Sequence, residues 1–434
     1  MRTQRLQRRL TRHEAVVGVV GQGYVGLSLA ASAAVDGLTV RAVDVDGARI
    51  RELALGRNVV PGVDDAMFAA AVDTGRLSFD TDPAAVADCD VVVICVPTPV
   101  VEHRPDLSFI EDAGRAVAAH LQRDSLVILE STTYPGTTDQ ILRPLLEAGG
   151  LRAGRDFLLA YSPERIDPGN VKYGLRNTPR VVGGIDEASS RTAGLFYSQL
   201  VDDVEVLSSC RAAEMAKLLE NTFRMVNIAL VNELATLCGE QNIDVWEVIR
   251  AAATKPFGFM PFYPGPGVGG HCIPLDPTYL AWQSRRDTGR PFRLVETAQD
   301  INAHMPTYVT TRVIEALSEH GKAVKNASVL ALGVTYKPDV GDLRESAAIE
   351  VLGRLARKGA RISFHDPFVS EIREHELNLR RSALTGAALE AADIVLLLTP
   401  HSSYDTDQLT RHAKLLFDAR NAIGSPRPST VVPL

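Results

Sequence analysis

Two kinds of hydrophobic pattern divide the chain. Near its start, "AVVGVVGQGYVGLSLAASAAVDGLTVRAVDVD" (residues 15–46) places an apolar run, a glycine cluster, an unbroken apolar stretch and a second apolar run in succession. That succession predicts strand, turn, helix and strand, which is one βαβ unit. "CDVVVICVPTP" (89–99) and "SLVILEST" (125–132) are further apolar runs, with a helical stretch over 108–121 between them. Apolar runs without alternation predict parallel strands buried on both faces. The pattern then turns helical. "AAEMAKLLENTFRMVNIALVNELATLCGEQ" (212–241) sets Met215, Leu218, Leu219 and Val226 at helical spacing with no breaker inside. A second long helix is expected from about Pro291 to His320. Apolar runs return in "ASVLALGVTY" (327–336) and "RISFHDP" (361–367), around a helix over 346–358. "AADIVLLLTP" (391–400) repeats the pattern of "ADCDVVVICVP" (87–97), so the last third echoes the first region.

The predicted fold is α/β, with two Rossmann-like doubly wound domains joined by a long-helix central region. The expected divisions are a basic N-terminal arm over 1–14, a first α/β domain over 15–205, a helical centre over 206–320 and a second α/β domain over 321–434. Hydrophobic residues make up 45% and charged residues 23% of the 434 positions, as in ordinary globular proteins. A net charge of −7 gives no electrostatic reason to bind nucleic acid or an anionic membrane. No run reaches the roughly eighteen apolar residues that a membrane span needs. The opening "MRTQRLQRRLTRHEA" has no apolar core to make it a signal, and a mobile arm is expected there. Five cysteines do not make a disulfide framework, so a reducing, cytoplasmic setting is expected.

Chemistry concentrates in a few loops. Gly21, Gly23 and Gly26 form G-x-G-x-x-G between a predicted strand and helix, and Asp44 ends the next strand. The glycines allow a tight turn, close approach of a pyrophosphate and close helix–strand packing. A carboxylate at Asp44 accepts ribose hydroxyls and repels a 2′-phosphate, which points to NAD, with Arg49 nearby in sequence. "GPGVGGHCIPLDP" (265–277) excludes a helix interior and a central strand, so a loop is expected there. Cys89, Cys95, Cys210 and Cys238 sit in apolar or helical surroundings that suit small buried hydrophobes. Cys272, among glycines and prolines, stands between a reactive thiol and a turn residue.

Other candidates have plain alternatives. Thr132 follows a strand, where α/β sheets bind ligands, but threonines also form ordinary turns. Glu164 in "YSPERIDPGN" (161–170) reads equally as a solvated surface glutamate. Lys217 and Asn221 share a helix face at i, i+4, with Glu214 and Arg224 close to the same stripe. A solvated helix face is the commoner outcome for such a stripe. Lys337 and Arg344 in "GVTYKPDVGDLRES" (333–346) either hold phosphate or pair with surface carboxylates.

Taken together, GQGYVGL, CVPTP, ESTTYPGT, SPERIDPGN, AEMAKLLENTFR, GPGVGGHCIPLDP and YKPDVGDLRES resemble the UDP-glucose/GDP-mannose dehydrogenase family, in that family's order, from about residue 15 to 425. The resemblance implies an NAD-binding first domain, a helical dimerisation region and a C-terminal domain for the UDP portion. It implies a four-electron oxidation of a sugar C6 alcohol by NAD, with Cys272 as the nucleophile that forms a thiohemiacetal and then a thioester. Lys217 is then expected to stabilise oxyanions, and Asn221 to hydrogen-bond the sugar. Asp276 with Thr132 and a water is expected to manage protons, and Glu164 to serve hydrolysis. The expected cofactor contacts are Gly21, Gly23, Tyr24, Val25, Gly26, Asp44, Thr98, Thr132 and Arg344. Glu164, Arg165, Lys217, Asn221, Gly267, Gly269 and Lys337 are the expected substrate contacts. The reading includes no metal, and it expects a homodimer or larger homo-oligomer.

Departures within the family narrow the sugar. His271 stands where UDP-glucose enzymes often have serine, and "PERIDPGN" and "TKPFGFMPFYPGPG" replace their counterparts. These variants resemble the branch acting on UDP-N-acetylhexosamines, with UDP-N-acetylglucosamine expected first and UDP-N-acetylmannosamine second. An arginine that UDP-glucose enzymes use across the dimer has no clear counterpart, Lys255 being offset by Pro256. No catalytic role is assigned to His271. The alternatives are a UDP-glucose 6-dehydrogenase, a two-electron hydroxyacid-type dehydrogenase on the same fold, and a nucleotide-binding regulatory protein that is not an enzyme.

Overall fold

A computed structural model describes residues 2–101, 104–167, 170, 172–270 and 272–434, without the side chains of Arg2, Thr3 and Cys272. The chain forms two compact units, Met1–Glu220 and Asn221–Leu434.

The first unit opens with a helix, α1 (Arg2–Thr11), followed by β1 (Val16–Val20), α2 (Tyr24–Val35), β2 (Thr39–Val43), β3 (Leu77–Asp80) and β4 (Val91–Ile94). After α3 (Ser108–Ala118) come β5 (Leu126–Leu129), β6 (Leu158–Tyr161), β7 (Arg180–Gly184), α4 (Glu187–Tyr197) and β8 (Val204–Leu207). The eight strands lie in the order β8-β7-β6-β5-β4-β1-β2-β3. All pairs are parallel except β6 with β7. Every residue of β4, β5 and β6 is buried, as strands covered on both faces require.

The basic arm departs from expectation. It is not a free segment, because α1 puts Leu6 and Leu10 into the core beneath the sheet at 2% and 0% exposure. Arg9 pairs with Asp90 at 2.6 Å and Gln7 donates to Thr192 of α4 at 3.1 Å. Two leucines four residues apart on one face outweigh the charge of the arginines around them.

A 31-residue helix, α5 (Cys210–Glu240), runs from the first unit into the second. The second unit continues with α6 (Val245–Ala253), α7 (Cys272–Thr288), α8 (Arg293–Glu319), β9 (Ser328–Leu332), α9 (Ala347–Arg357), β10 (Arg361–His365), β11 (Ile394–Leu397), β12 (Leu416–Asp418) and β13 (Val431–Pro433). Its five strands are parallel in the order β10-β9-β11-β12-β13, a doubly wound arrangement.

Two expectations about this centre need correcting. The loop expected over 265–277 ends at Cys272, where α7 begins. Pro274 is tolerated because first-turn N–H groups have no helical partner anyway, and Pro277 lies inside the helix. The faces of α5 are also not those the apolar spacing suggests. Met215 and Leu219 are 43% and 63% exposed, while Glu214, Lys217 and Asn221 are 0%, 8% and 5% exposed. Leu218 is buried as the spacing suggests, so this helix buries polar and apolar groups together and leaves part of the apolar stripe exposed.

Candidate active site

In the first unit, the glycine turn follows β1 at the point where strand order reverses between β1 and β4, the usual ligand crevice of such sheets. Gly21 has φ +94° and lies so near the Cys95 carbonyl that a β-carbon would come within 2.6 Å of it. A β-carbon on Gly26 would collide with the carbonyl of Gly21. Gly23 is different, because a β-carbon there would meet nothing within 4 Å. The start of α2 carries no side-chain cap, so its free N–H groups and dipole suit a pyrophosphate. Asp44, 7% exposed, accepts from Gln22 N at 2.6 Å and Asp46 N at 2.8 Å, and pairs with Arg49 at 2.9 Å. Tyr24 and Val25 are half-buried on the first turn of α2, and Thr98 is buried after β4. These residues fit a dinucleotide: an open backbone cradle, a bare helix end and a carboxylate at the end of the next strand.

The same sheet edge carries the acid–base candidates. Thr132 is half-buried after β5. Glu164, after β6, is 8% exposed rather than solvated. Its Oε1 accepts from the N–H groups of Arg165 and Ile166 at 2.5 and 2.6 Å, and its Oε2 accepts from Arg180 at 2.8 Å. Burial pushes its carboxyl above the usual range, against the lowering pull of those N–H groups and the Lys217 charge. Lys217 is buried, and among the described residues no carboxylate lies within ion-pair distance of its ammonium. Arg165 is tied to Glu220 at 2.8 Å and to the Pro179 carbonyl at 2.6 Å. Glu214 holds the loop after Thr132, accepting from Gly136 N, Thr138 N and Thr138 Oγ1 at 2.6–2.9 Å.

In the second unit, Asn221 donates to Asp276 at 2.5 Å, so two sequence-identified residues from α5 and α7 meet. Cys272 opens α7, while its side chain and His271 lie outside the described residues. The glycine loop before it packs on this chain's own 336–347 segment. A β-carbon on Gly269 would meet the Glu345 carbonyl at 2.5 Å, and one on Gly270 the Tyr336 ring at 2.8 Å. Gly270 N also donates to the Arg344 carbonyl at 3.0 Å. Gly267 stands at φ +146° against Ala347. Glycine is thus required here by the loop's own packing, whether or not a sugar also approaches. Lys337 is half-buried on the packed segment, and Arg344 projects from it, paired with Asp342 at 2.7 Å.

Three features escaped the sequence reading. Arg180, 2% exposed, sits between Glu130 and Glu164. A charged residue opening a fully buried strand was the available signal. His401 and Asp366, both buried, meet at 2.9 Å behind the Lys337 segment. Arg420 follows β12 with its guanidinium against Gly265, and among the described residues no carboxylate pairs with it. Desolvation pulls it down to about 10, and a half-buried cation without a carboxylate partner is a natural partner for phosphate.

A dinucleotide cradle in one unit and cationic groups near a glycine loop in the other match what a dinucleotide-dependent oxidoreductase of a phosphorylated substrate needs. Comparison with known proteins gives the family. The chain belongs to the UDP-glucose/GDP-mannose dehydrogenase family: the models of its NAD binding domain, central domain and UDP binding domain match residues 15–201, 211–304 and 330–425. It is 34% identical over 419 residues to the UDP-N-acetyl-D-mannosamine dehydrogenase of Methanocaldococcus jannaschii, covering 93% of this chain and 92% of that one. Identity to the enzyme of the same name from Yersinia pestis is 36% over 402 residues, covering 89% and 94%. The structure of the UDP-D-ManNAc dehydrogenase from Pyrococcus horikoshii superposes with a TM-score of 0.87 at 32% identity, covering 96% and 98%. The protein is an NAD-dependent nucleotide-sugar 6-dehydrogenase. Among the described residues, no helix is long and apolar enough to cross a membrane.

Proposed function

We propose that the chain oxidises the C6 alcohol of UDP-N-acetylmannosamine to the carboxylate, with UDP-N-acetylglucosamine second and UDP-glucose third. The relatives' names support the first choice, which reverses the first two sugars of the sequence reading. The observation that carries the chemistry is the Asn221–Asp276 pair at 2.5 Å in the unit where α7 opens at Cys272. A cysteine at a helix start meets free N–H groups, which favour its thiolate.

NAD, held by the Gly21–Gly26 turn and Asp44, supplies the hydride acceptor for both oxidations. Asp276, through a water, takes the hydroxyl proton. The Cys272 thiolate adds to the aldehyde carbon, and covalent capture keeps that carbon in place for the second oxidation. Lys217 stabilises the oxyanion of each tetrahedral species, and losing such a donor costs about 3–4 kcal/mol. Glu164 takes a proton from the water that releases the acid. Lys337 and Arg420 hold the diphosphate. A homodimer completes the reading, because α5 exposes Phe223, Leu230 and Leu237 at 45–61% along one face. A cytoplasmic setting suits a mechanism that needs a free thiol.

The test is NADH formed per sugar consumed, run to completion with each of the three UDP-sugars at limiting amount. Two NADH per UDP-N-acetylmannosamine, lost in Cys272→Ser with NAD binding retained, is the expected result. One NADH per sugar, or acid production by Cys272→Ser, would remove the thioester route.

A further inference from the structure

Glu164 does not stand alone at the edge of the first sheet. Glu130 leaves β5 and Glu164 follows β6 at the same edge, because those strands are parallel. β7 runs antiparallel to β6 and so begins at that edge, with Arg180. The Arg180 guanidinium donates from Nη1 to Glu164 Oε2 at 2.8 Å and from Nε to Ser162 Oγ at 3.0 Å, and it pairs through Nη2 with Glu130. Tyr197 closes the cluster, its ring 4.7 Å from the guanidinium and its hydroxyl donating to Glu130 Oε2 at 2.9 Å. Arg180, Glu130 and Tyr197 are 2%, 1% and 0% exposed.

We propose that Arg180 is a positioning residue for Glu164, and that Glu130 sets how much of its charge Glu164 feels, so that the pair governs release of the acid rather than the hydride transfers. The inference rests on the assignment of Glu164 to hydrolysis. A carboxylate has about four lone-pair sites. The N–H groups of Arg165 and Ile166 take those of Oε1, and Arg180 takes one of Oε2. One site is left for a water, and Arg180 decides which one. From there the water's proton passes to Glu164 and its oxygen bonds to the thioester carbon. The carbon–sulfur bond then breaks and its electron pair returns to Cys272 as thiolate.

The groups facing Glu164 are Arg180 of β7, Glu130 after β5, Lys217 of α5 and Arg165 of its own loop, with Tyr197 of α4 and Cys95 after β4 beside them. Arg180 favours the ionised base and Glu130 opposes it. Removing the Glu130 charge therefore extends the ionised form to lower pH, and weakening Arg180 shortens it.

The experiment is pre-steady-state turnover of the full-length enzyme with NAD and the UDP-sugar that gives two NADH, with intact-mass detection of the covalent species. Glu164→Gln is expected to give an NADH burst, stall and carry the bound sugar. Arg180→Lys should keep the burst, lose about 100-fold in steady-state rate, accumulate the same species and move the acidic limb to higher pH. Glu130→Gln should keep the burst and move that limb to lower pH, and it decides the matter if Arg180→Lys does not fold. Arg180→Lys losing burst and steady state equally without covalent build-up would overturn the inference, as would an unmoved limb in Glu130→Gln. If Glu164→Gln itself accumulates nothing, the assignment of Glu164 fails and takes the inference with it. A stalled Glu164→Gln beside a normal Arg180→Lys would sink the inference alone.

Discussion

The turn that opens each sheet is built on one plan. In the first unit, Gly21 follows β1 at φ +94° against the Cys95 carbonyl, and Gln22 N donates to Asp44 at the end of β2. In the second, Gly333 follows β9 at φ +74° against the Thr399 carbonyl, and Val334 N donates to Asp366 at the end of β10. Both turns lie where strand order reverses. The fillings differ. Two residues past the turn glycine, the first has bare Gly23 and the second has Thr335, 1% exposed, bonded to the Lys337 carbonyl at 2.9 Å. Asp44 is joined by a partly exposed Arg49, and Asp366 by buried His401. A bare turn recognises a pyrophosphate with its own N–H groups. A turn filled with side chains must recognise its ligand through the residues it projects, and Lys337 is the one proposed for that role.

The comparison breaks first at its glycines. Gly26→Val would drive a side chain into the Gly21 carbonyl, and Gly333→Ala would combine a positive φ with a collision at Thr399. Each is expected to cost about 3 kcal/mol or more, with strain and overpacking adding. Calorimetric titration should show Gly26→Val losing NAD while retaining UDP, and Gly333→Ala the reverse. If Gly333→Ala lost NAD as well, the two turns would not serve separate ligands.

Much of this was legible in the chain and some was not, for physical reasons. Gly21, Gly23, Gly26 and Asp44 could be read because turn, helix start and strand end are local features with fixed spacing. The Glu130–Arg180–Glu164 cluster could not, because the antiparallel entry of β7 brings Arg180 to an edge that no local pattern announces. Apolar spacing also misassigned part of α5, placing Leu218 correctly but not Met215 and Leu219. It reports where apolar residues lie, and a helix that buries Glu214, Lys217 and Asn221 reverses the usual inference. Thr335 and His401 stayed hidden because they are 66 residues apart and meet only across neighbouring strands.

The paired aspartates give the next test. Asp366 accepts from Val334 N and His401 on one oxygen and from Phe368 N on the other. Asp339 N donates to His401 Nδ1, so the ring proton sits on Nε2, facing Asp366. Asp44 is surrounded by donors in the same way. An asparagine at either position must turn its amide N–H groups toward a donor, at a cost of about 1–3 kcal/mol. Asp366→Asn should lower the melting temperature and weaken UDP, whereas Asp44→Asn should weaken NAD and reduce discrimination against NADP. The pH dependence has a definite sign. Burial raises the Asp366 carboxyl, but its bonds from His401, Val334 N and Phe368 N outweigh this and hold it below 3.8. Its contribution is therefore present above about pH 4 and lost as pH falls through the depressed value. Urea unfolding at several acidic pH values should show that loss in the parent and not in Asp366→Asn.

The smallest effect on stability is the one that best isolates function. Gly23 has φ −76°, which any residue adopts, and nothing lies within 4 Å of an added β-carbon. Gly23→Ala, and more fully Gly23→Thr, would give the first turn the filling that Thr335 gives the second. Stability should change by no more than about 0.5 kcal/mol, as at a surface position without partners. The added atoms would stand where the pyrophosphate must come to reach the bare start of α2, so NAD affinity should fall at least about tenfold for Ala and further for Thr. Equal melting temperatures with graded loss of NAD binding, measured by titration calorimetry on the same preparations, is the expected outcome. Unchanged affinity in Gly23→Thr would mean that the open space beside Gly23 is not where the cofactor lies.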